Sequence, residues 1–78
     1  MIRYYGLLNL LKHREMDKAT FQQFMDIPST TIDKLWNHEY VSLEVIDEIC
    51  NKLHCCPSDI MEFVPDIKFY TYGIKFRN

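Results

Sequence analysis

Two short amphipathic segments meet almost without a linker around Asp26, and that joint constrains the fold more than any other feature. Phe21, Phe24 and Met25 give residues 17–25 an apolar stripe at helical spacing. Asp17 is a good N-cap for that segment. Residues 27–38 follow at once, with Ile32 and Leu35 as apolar teeth and Pro28 suited to the helix start. Asp26 must then turn the chain in the left-handed region, where Asp is tolerated at some cost. Helix, tight turn and helix in succession make a minimal two-helix unit.

Other helices flank it in the sequence. Tyr4, Leu7, Leu8 and Leu11 recur at i, i+3, i+4 and i+7, which predicts an amphipathic helix over residues 2–15. Lys12, His13 and Arg14 fill its last turn, where cations oppose the negative helix end. Ser42 caps a fourth helix whose stripe is Val45, Ile46, Ile49, Cys50 and Leu53. Pro57 and Asp59 open a short fifth helix, with Ile60, Met61 and Phe63 expected inward, and Pro65 ends it. From Asp66 the grammar changes. Tyr70, Tyr72, Ile74 and Phe76 alternate with period two, a strand pattern, and no second convincing strand is evident to pair with it.

The length, 78 residues, allows one domain with a modest core. We divide it into residues 1–66, a helical domain, and residues 67–78, a strand-like tail. No run of ~18 apolar residues predicts a membrane span, and the N-terminus shows no signal-peptide pattern. A cytoplasmic protein is therefore expected. Three cysteines, Cys50, Cys55 and Cys56, are an odd number and read as free thiols. His54-Cys55-Cys56 does not have the spacing of a zinc site, so no metal or other cofactor is expected. The sequence contains no Gly-rich phosphate loop, HExxH or nucleophile elbow, and His54 and Cys55 have no third group to orient them. An enzyme is not expected.

The residues 27–38 carry the chemistry. Short hydroxyls at Ser29 and Thr30, and the cation Lys34, lie away from the Ile32/Leu35 face. Such a helix suits insertion into the major groove of double-stranded DNA, its first turn toward base edges. Capping accounts for one hydroxyl but not for a row of them. Trp36, in the last turn, reads as packing, its ring bracing helix 4. Asn37 reads equally as a helix C-cap or a phosphate ligand. His38 reads as a surface histidine. Net charge is −2, an awkward sign for a DNA-binding protein. Residues 1–40 balance five cations against five acids, residues 41–66 are acidic, and residues 67–78 carry Lys68, Lys75 and Arg77 without an acid.

The run Ile27-x-x-x-Thr31-Ile32-x-Lys34-Leu35, the stripe Val41-Ser42-x-x-Val45-Ile46-x-x-Ile49-Cys50-x-x-Leu53 and then Cys55-x-x-x-Asp59-Ile60-Met61-Glu62 resemble the Cro/repressor-type (Cro/C1) helix-turn-helix family over residues 2–66. The chain is similar to its small single-domain members, found in phages, mobile elements and Gram-positive bacteria. The resemblance implies a mainly α, five-helix domain, here with a C-terminal segment of strand character. It also implies a DNA-binding transcriptional regulator, a repressor, acting as a homodimer. Position by position, it puts Ser29, Thr30 and Lys34 on base edges, Thr31 and Asn37 on phosphate, and Lys18 on the backbone or first bases. Asp26 stands where the family usually has a turn Gly, and Pro28 where it usually has Ser. The tail lies outside the match. Phe69, Tyr70, Tyr72, Ile74 and Phe76 form an unpaired, aromatic strand edge, which predicts antiparallel pairing with a second copy. A different class of function is also open: a protein-binding module, such as a phage-encoded inhibitor, that keeps this scaffold for a protein partner.

Overall fold

The computed structural model describes residues 1–65 of the chain. In order, the elements are β1 (Ile2–Arg3), α1 (Tyr5–His13), α2 (Lys18–Met25), α3 (Ser29–Trp36), α4 (Leu43–Leu53), α5 (Pro57–Ile60) and β2 (Glu62–Phe63). The expected five helices are present. Their apolar stripes converge on one core of Tyr4, Leu7, Leu11, Phe21, Met25, Ile32, Leu35, Ile46, Ile49, Leu53 and Ile60.

The ends depart from expectation. Residues 2 and 3, read as the start of a helix, form β1. Residues 62 and 63, read as the end of helix 5, form β2. The two pair antiparallel with Ile2 opposite Phe63 and Arg3 opposite Glu62. Each strand is too short to show alternation, and only pairing across the length of the domain makes them strands. The pairing extends one residue further, where the Val64 N–H donates to the Met1 carbonyl at 2.9 Å. Phe63, expected inward, consequently lies 60 % exposed, while Met61 is half-buried against the core. Phe24 is likewise exposed rather than part of a buried stripe, and Val45 and Cys50 are half-buried. The predicted tail strand, with Phe69, Tyr70, Tyr72, Ile74 and Phe76, lies outside the described residues.

Helix starts follow the caps. The Thr20 N–H donates to Asp17 Oδ1 at 2.8 Å, and the Val45 N–H to Ser42 Oγ at 3.3 Å. At α5 the Cys56 N–H donates to Asp59 Oδ2 at 2.8 Å. Helix ends use residues other than glycine: Glu15, Asp26, His38 and His54 all have φ between 55° and 58°. Two cations stitch helix ends across the fold. Arg14 Nη2 donates to the Leu53 carbonyl at the end of α4 (2.7 Å), and Lys52 Nζ donates to the Phe24 and Met25 carbonyls at the end of α2 (3.1 and 3.3 Å). Both oppose the negative end of a helix dipole.

α1 and α5 approach each other closely at Gly6. A Cβ placed on Gly6 would come 2.3 Å from the Asp59 carbonyl oxygen. Only glycine lets the two helices meet at this distance.

Candidate nucleic-acid interface

The helix pair identified in the sequence forms as a unit. α2 begins at the Asp17 cap and stops at Asp26, whose backbone is left-handed (φ 58°, ψ 46°) and whose N–H donates to the Gln22 carbonyl. Pro28 is extended (φ −60°, ψ 147°), and its carbonyl accepts from Thr31 and Ile32 to start α3. Pro28 offers no capping side chain, so the first-turn N–H groups of α3 have no side-chain cap.

α3 is anchored by Ile32 and Leu35, both fully buried. Its opposite side presents Ser29, Thr30, Asp33 and Lys34, all exposed, with Asn37 exposed just beyond. Thr31 is half-buried at the edge of that face. Ser29, Thr30, Lys34 and Asn37 are therefore brought together on or beside one solvent-facing helix surface. Asn37 takes the C-cap position, its N–H bonded to the Asp33 carbonyl at 2.9 Å.

Lys18 is held differently. Its Nζ lies 2.8 Å from Asp33 Oδ1, and 5.9 Å from the centre of the Trp36 ring. Both partners of the pair are about half exposed, so the bond adds little stability, yet it neutralises the cation where α2 begins beside α3. Trp36 is half-buried against the core, as a packing residue. Its ring packs at 5.9 Å on Phe21 of α2, inside the helix pair itself.

His38, expected at the surface, is a structural residue. It is half-buried, and its Nδ1 accepts the Tyr4 N–H at 3.0 Å. Its ring lies parallel to Tyr4 and 4.7 Å from Tyr5. The buried Tyr4 hydroxyl donates to the Glu39 carbonyl at 2.8 Å, and burial pushes the Tyr4 phenol above its usual range. The exit of α3 is thus tied to the entry of α1. No local signal reveals this contact, because its partners lie 34 and 35 residues apart.

These features, a buried-anchor helix with a polar outer face set across a left-handed turn from a capped helix, are those of a helix-turn-helix unit. The sequence profile of the Cro/C1-type helix-turn-helix DNA-binding domain matches residues 6–66. The chain belongs to that family. No curated protein matches it significantly. Among solved structures it is similar to the transcriptional regulator VanUg, with a TM-score of 0.78 and 35% identity, covering 83% of this chain and 87% of that one.

Within this Cro/C1-type domain the remaining chemistry is quiet. Among the described residues, no three His, Cys, Asp or Glu side chains gather as a metal would require. All three cysteines are free, and burial, followed by the neighbouring Cys50, pushes the Cys55 thiol up to about 11. A thiol so protonated is a poor nucleophile at neutral pH. No helix among the described residues is long and apolar enough to cross a membrane.

Proposed function

We propose that the protein is a sequence-specific transcriptional regulator, a repressor that acts by occupying its operator, with α3 in the major groove. The observation that carries this is the two-sided character of α3: Ile32 and Leu35 are completely buried, while Ser29, Thr30 and Lys34 stand exposed on the other side. Ser29 and Thr30 present their hydroxyls to base edges, and Lys34 reaches a base or a phosphate from the last turn of the helix. Thr31 and Asn37 contact phosphate on either side. Lys18 is the contact at the start of α2, where phosphate competes with Asp33 for its ammonium. A homodimer, joined through residues 67–76, places two copies of α3 about one helical turn apart on a pseudo-palindromic site.

Binding to duplex DNA across a salt series tests the reading. We expect a salt-dependent shift, weakened by Lys34→Ala. If Lys34 meets phosphate, the log–log salt slope falls by about one. If it meets a guanine, discrimination at one base pair relaxes by ~1–3 kcal/mol. No binding even at ~50 mM salt, where phosphate contacts are strongest, would favour the protein-binding module instead. The exposed acids Glu44, Asp47 and Glu48 of α4 would then be its natural docking side.

A further inference from the structure

The chain has few cations to spend on DNA, and their placement is uneven. At the α2 end of the reading helix, Lys18 is neutralised by Asp33, and Asp17 and Asp26 add two more acids. At the exit of α3 lies a hollow of about 390 Å³, lined by Arg3, Lys34, Asn37, His38, Glu39 and Tyr40. Its side chains hold two cations against one acid, and Met1 also lines it, its amino group bonded to the Val64 carbonyl. Among the described residues, neither Arg3 nor Lys34 has a carboxylate within salt-bridge distance, and the Glu62 carboxylate opposite Arg3 lies 3.4 Å from the Gly6 N–H.

Arg3 reaches this hollow from the far end of the sequence. β1 pairs with β2, and the next residue, Tyr4, is bonded to His38 through its N–H and to Glu39 through its hydroxyl. The segment carrying Arg3 is therefore tied to the segment that leaves α3 at two points. Tyr40, on the same rim, is 69 % exposed, with its phenol free to meet a ligand.

Resting on the DNA-binding reading, we infer that Arg3 and Tyr40 form a phosphate clamp beside α3. They would hold the DNA backbone that flanks the groove at the helix's C-terminal end. A guanidinium can grip a phosphodiester with two parallel N–H donors, and a phenol can add a third. The Arg3 charge also offsets the negative end of the α3 dipole, which would otherwise repel phosphate there. The grip on the backbone is thus one-sided, stronger where α3 ends than where α2 begins.

The test is the salt dependence of binding by the full chain to labelled duplexes of random sequence. Arg3→Ala should lower the log–log slope by about one and weaken binding by about tenfold at ~0.1 M salt, equally for every duplex. Tyr40→Phe should weaken it by two- to threefold with the slope unchanged, because a neutral donor releases no counterion. Should Arg3→Ala fail to fold, Arg3→Gln and Arg3→Lys decide: the clamp requires Gln to lose the unit of slope and Lys to keep it. A wild type that binds with Arg3 variants of unchanged slope and affinity overturns the clamp and leaves the DNA-binding reading standing. A wild type that does not bind duplex at ~50 mM salt overturns that reading, and the clamp with it.

Discussion

The helix pair α2–α3 and the side formed by α1, α5 and the β1–β2 ribbon are built by opposite means. In α2–α3 the contacts span short distances in sequence: Asp17 caps α2, Phe21 meets Trp36, and Lys18 meets Asp33. On the other side, Gly6 abuts Asp59, Ile2 pairs with Phe63, and Tyr4 holds His38 and Glu39. The local unit supplies the polar face of α3. The non-local unit sets the posture of its exit and carries Arg3 to it. In a domain assembled this way the exposed residues of α3 can be exchanged without disturbing what holds the helix in place.

Leu35→Ala should produce the largest loss. Leu35 is completely buried where α3 meets the core, and truncating it costs ~2–5 kcal/mol. In a domain of this size that approaches the whole stability. A chemical-denaturation midpoint like that of wild type would show that the helix pair does not depend on its central anchor.

Gly6→Ala should come next and tests the non-local side. The new methyl meets backbone, not a flexible side chain, so α1 and α5 must separate, at a cost of ~1–3 kcal/mol. An alanine in an ordinary helix stabilises it by ~1 kcal/mol relative to glycine, so the sign is decisive. A variant more stable than wild type would mean that the α1–α5 contact is looser than the structure has it.

The same contrast explains what could be read from the sequence. Helical periodicity exposed all five helices, and the caps Asp17 and Ser42 and the polar set Ser29, Thr30 and Lys34 follow from local spacing. Features made by distant residues were not legible. Ile2–Arg3 continues the apolar run of α1 and has no strand signature; its pairing with residues 62–63 exists only in three dimensions. Phe63 looked like the next inward residue of α5, but α5 ends after four residues, and the extended chain turns Phe63 outward. His38 looked like a surface residue because nothing near it in sequence needs an acceptor, while the group that does is the Tyr4 N–H. Gly6 carried no turn signal, since its role is to leave room.

Tyr4→Phe sharpens the comparison at the joint between the two regions. It removes the donor to the Glu39 carbonyl while keeping the buried ring, and should cost about 1 kcal/mol. Amide exchange should quicken at residues 38–40 more than in α2. Uniform quickening would mean that the contact supports the whole fold and not the exit of α3. Asp26→Gly probes the local side by a similar or smaller amount. It relieves a left-handed, non-glycine residue but frees the unfolded chain, for a net gain of at most ~1 kcal/mol in thermal stability. It also removes a negative charge beside the reading helix, so DNA affinity should rise at low salt. Loss of stability would show that the Asp26 side chain has a partner that matters.

The smallest effect belongs to the start of α2. The Thr20 amide donates to the Asp17 carboxylate and holds its pKa below the ordinary value. A carboxyl more acidic in the folded protein than in the unfolded chain adds stability above the unfolded value of ~3.9, and that contribution is lost as pH falls through the folded value. Asn caps a helix about as well as Asp but does not titrate and brings no charge to the positive helix end. Wild type should therefore exceed Asp17→Asn slightly in thermal midpoint near neutrality, and the gap should close as the solution is acidified. Because Asp17 is exposed, added salt should narrow the gap as well. A gap that persists in acid would show that Asp17 acts through its shape alone. No gap at any pH would show that the Asp17 charge adds nothing and that the start of α2 is held by the cap hydrogen bond, which Asn keeps, and by packing.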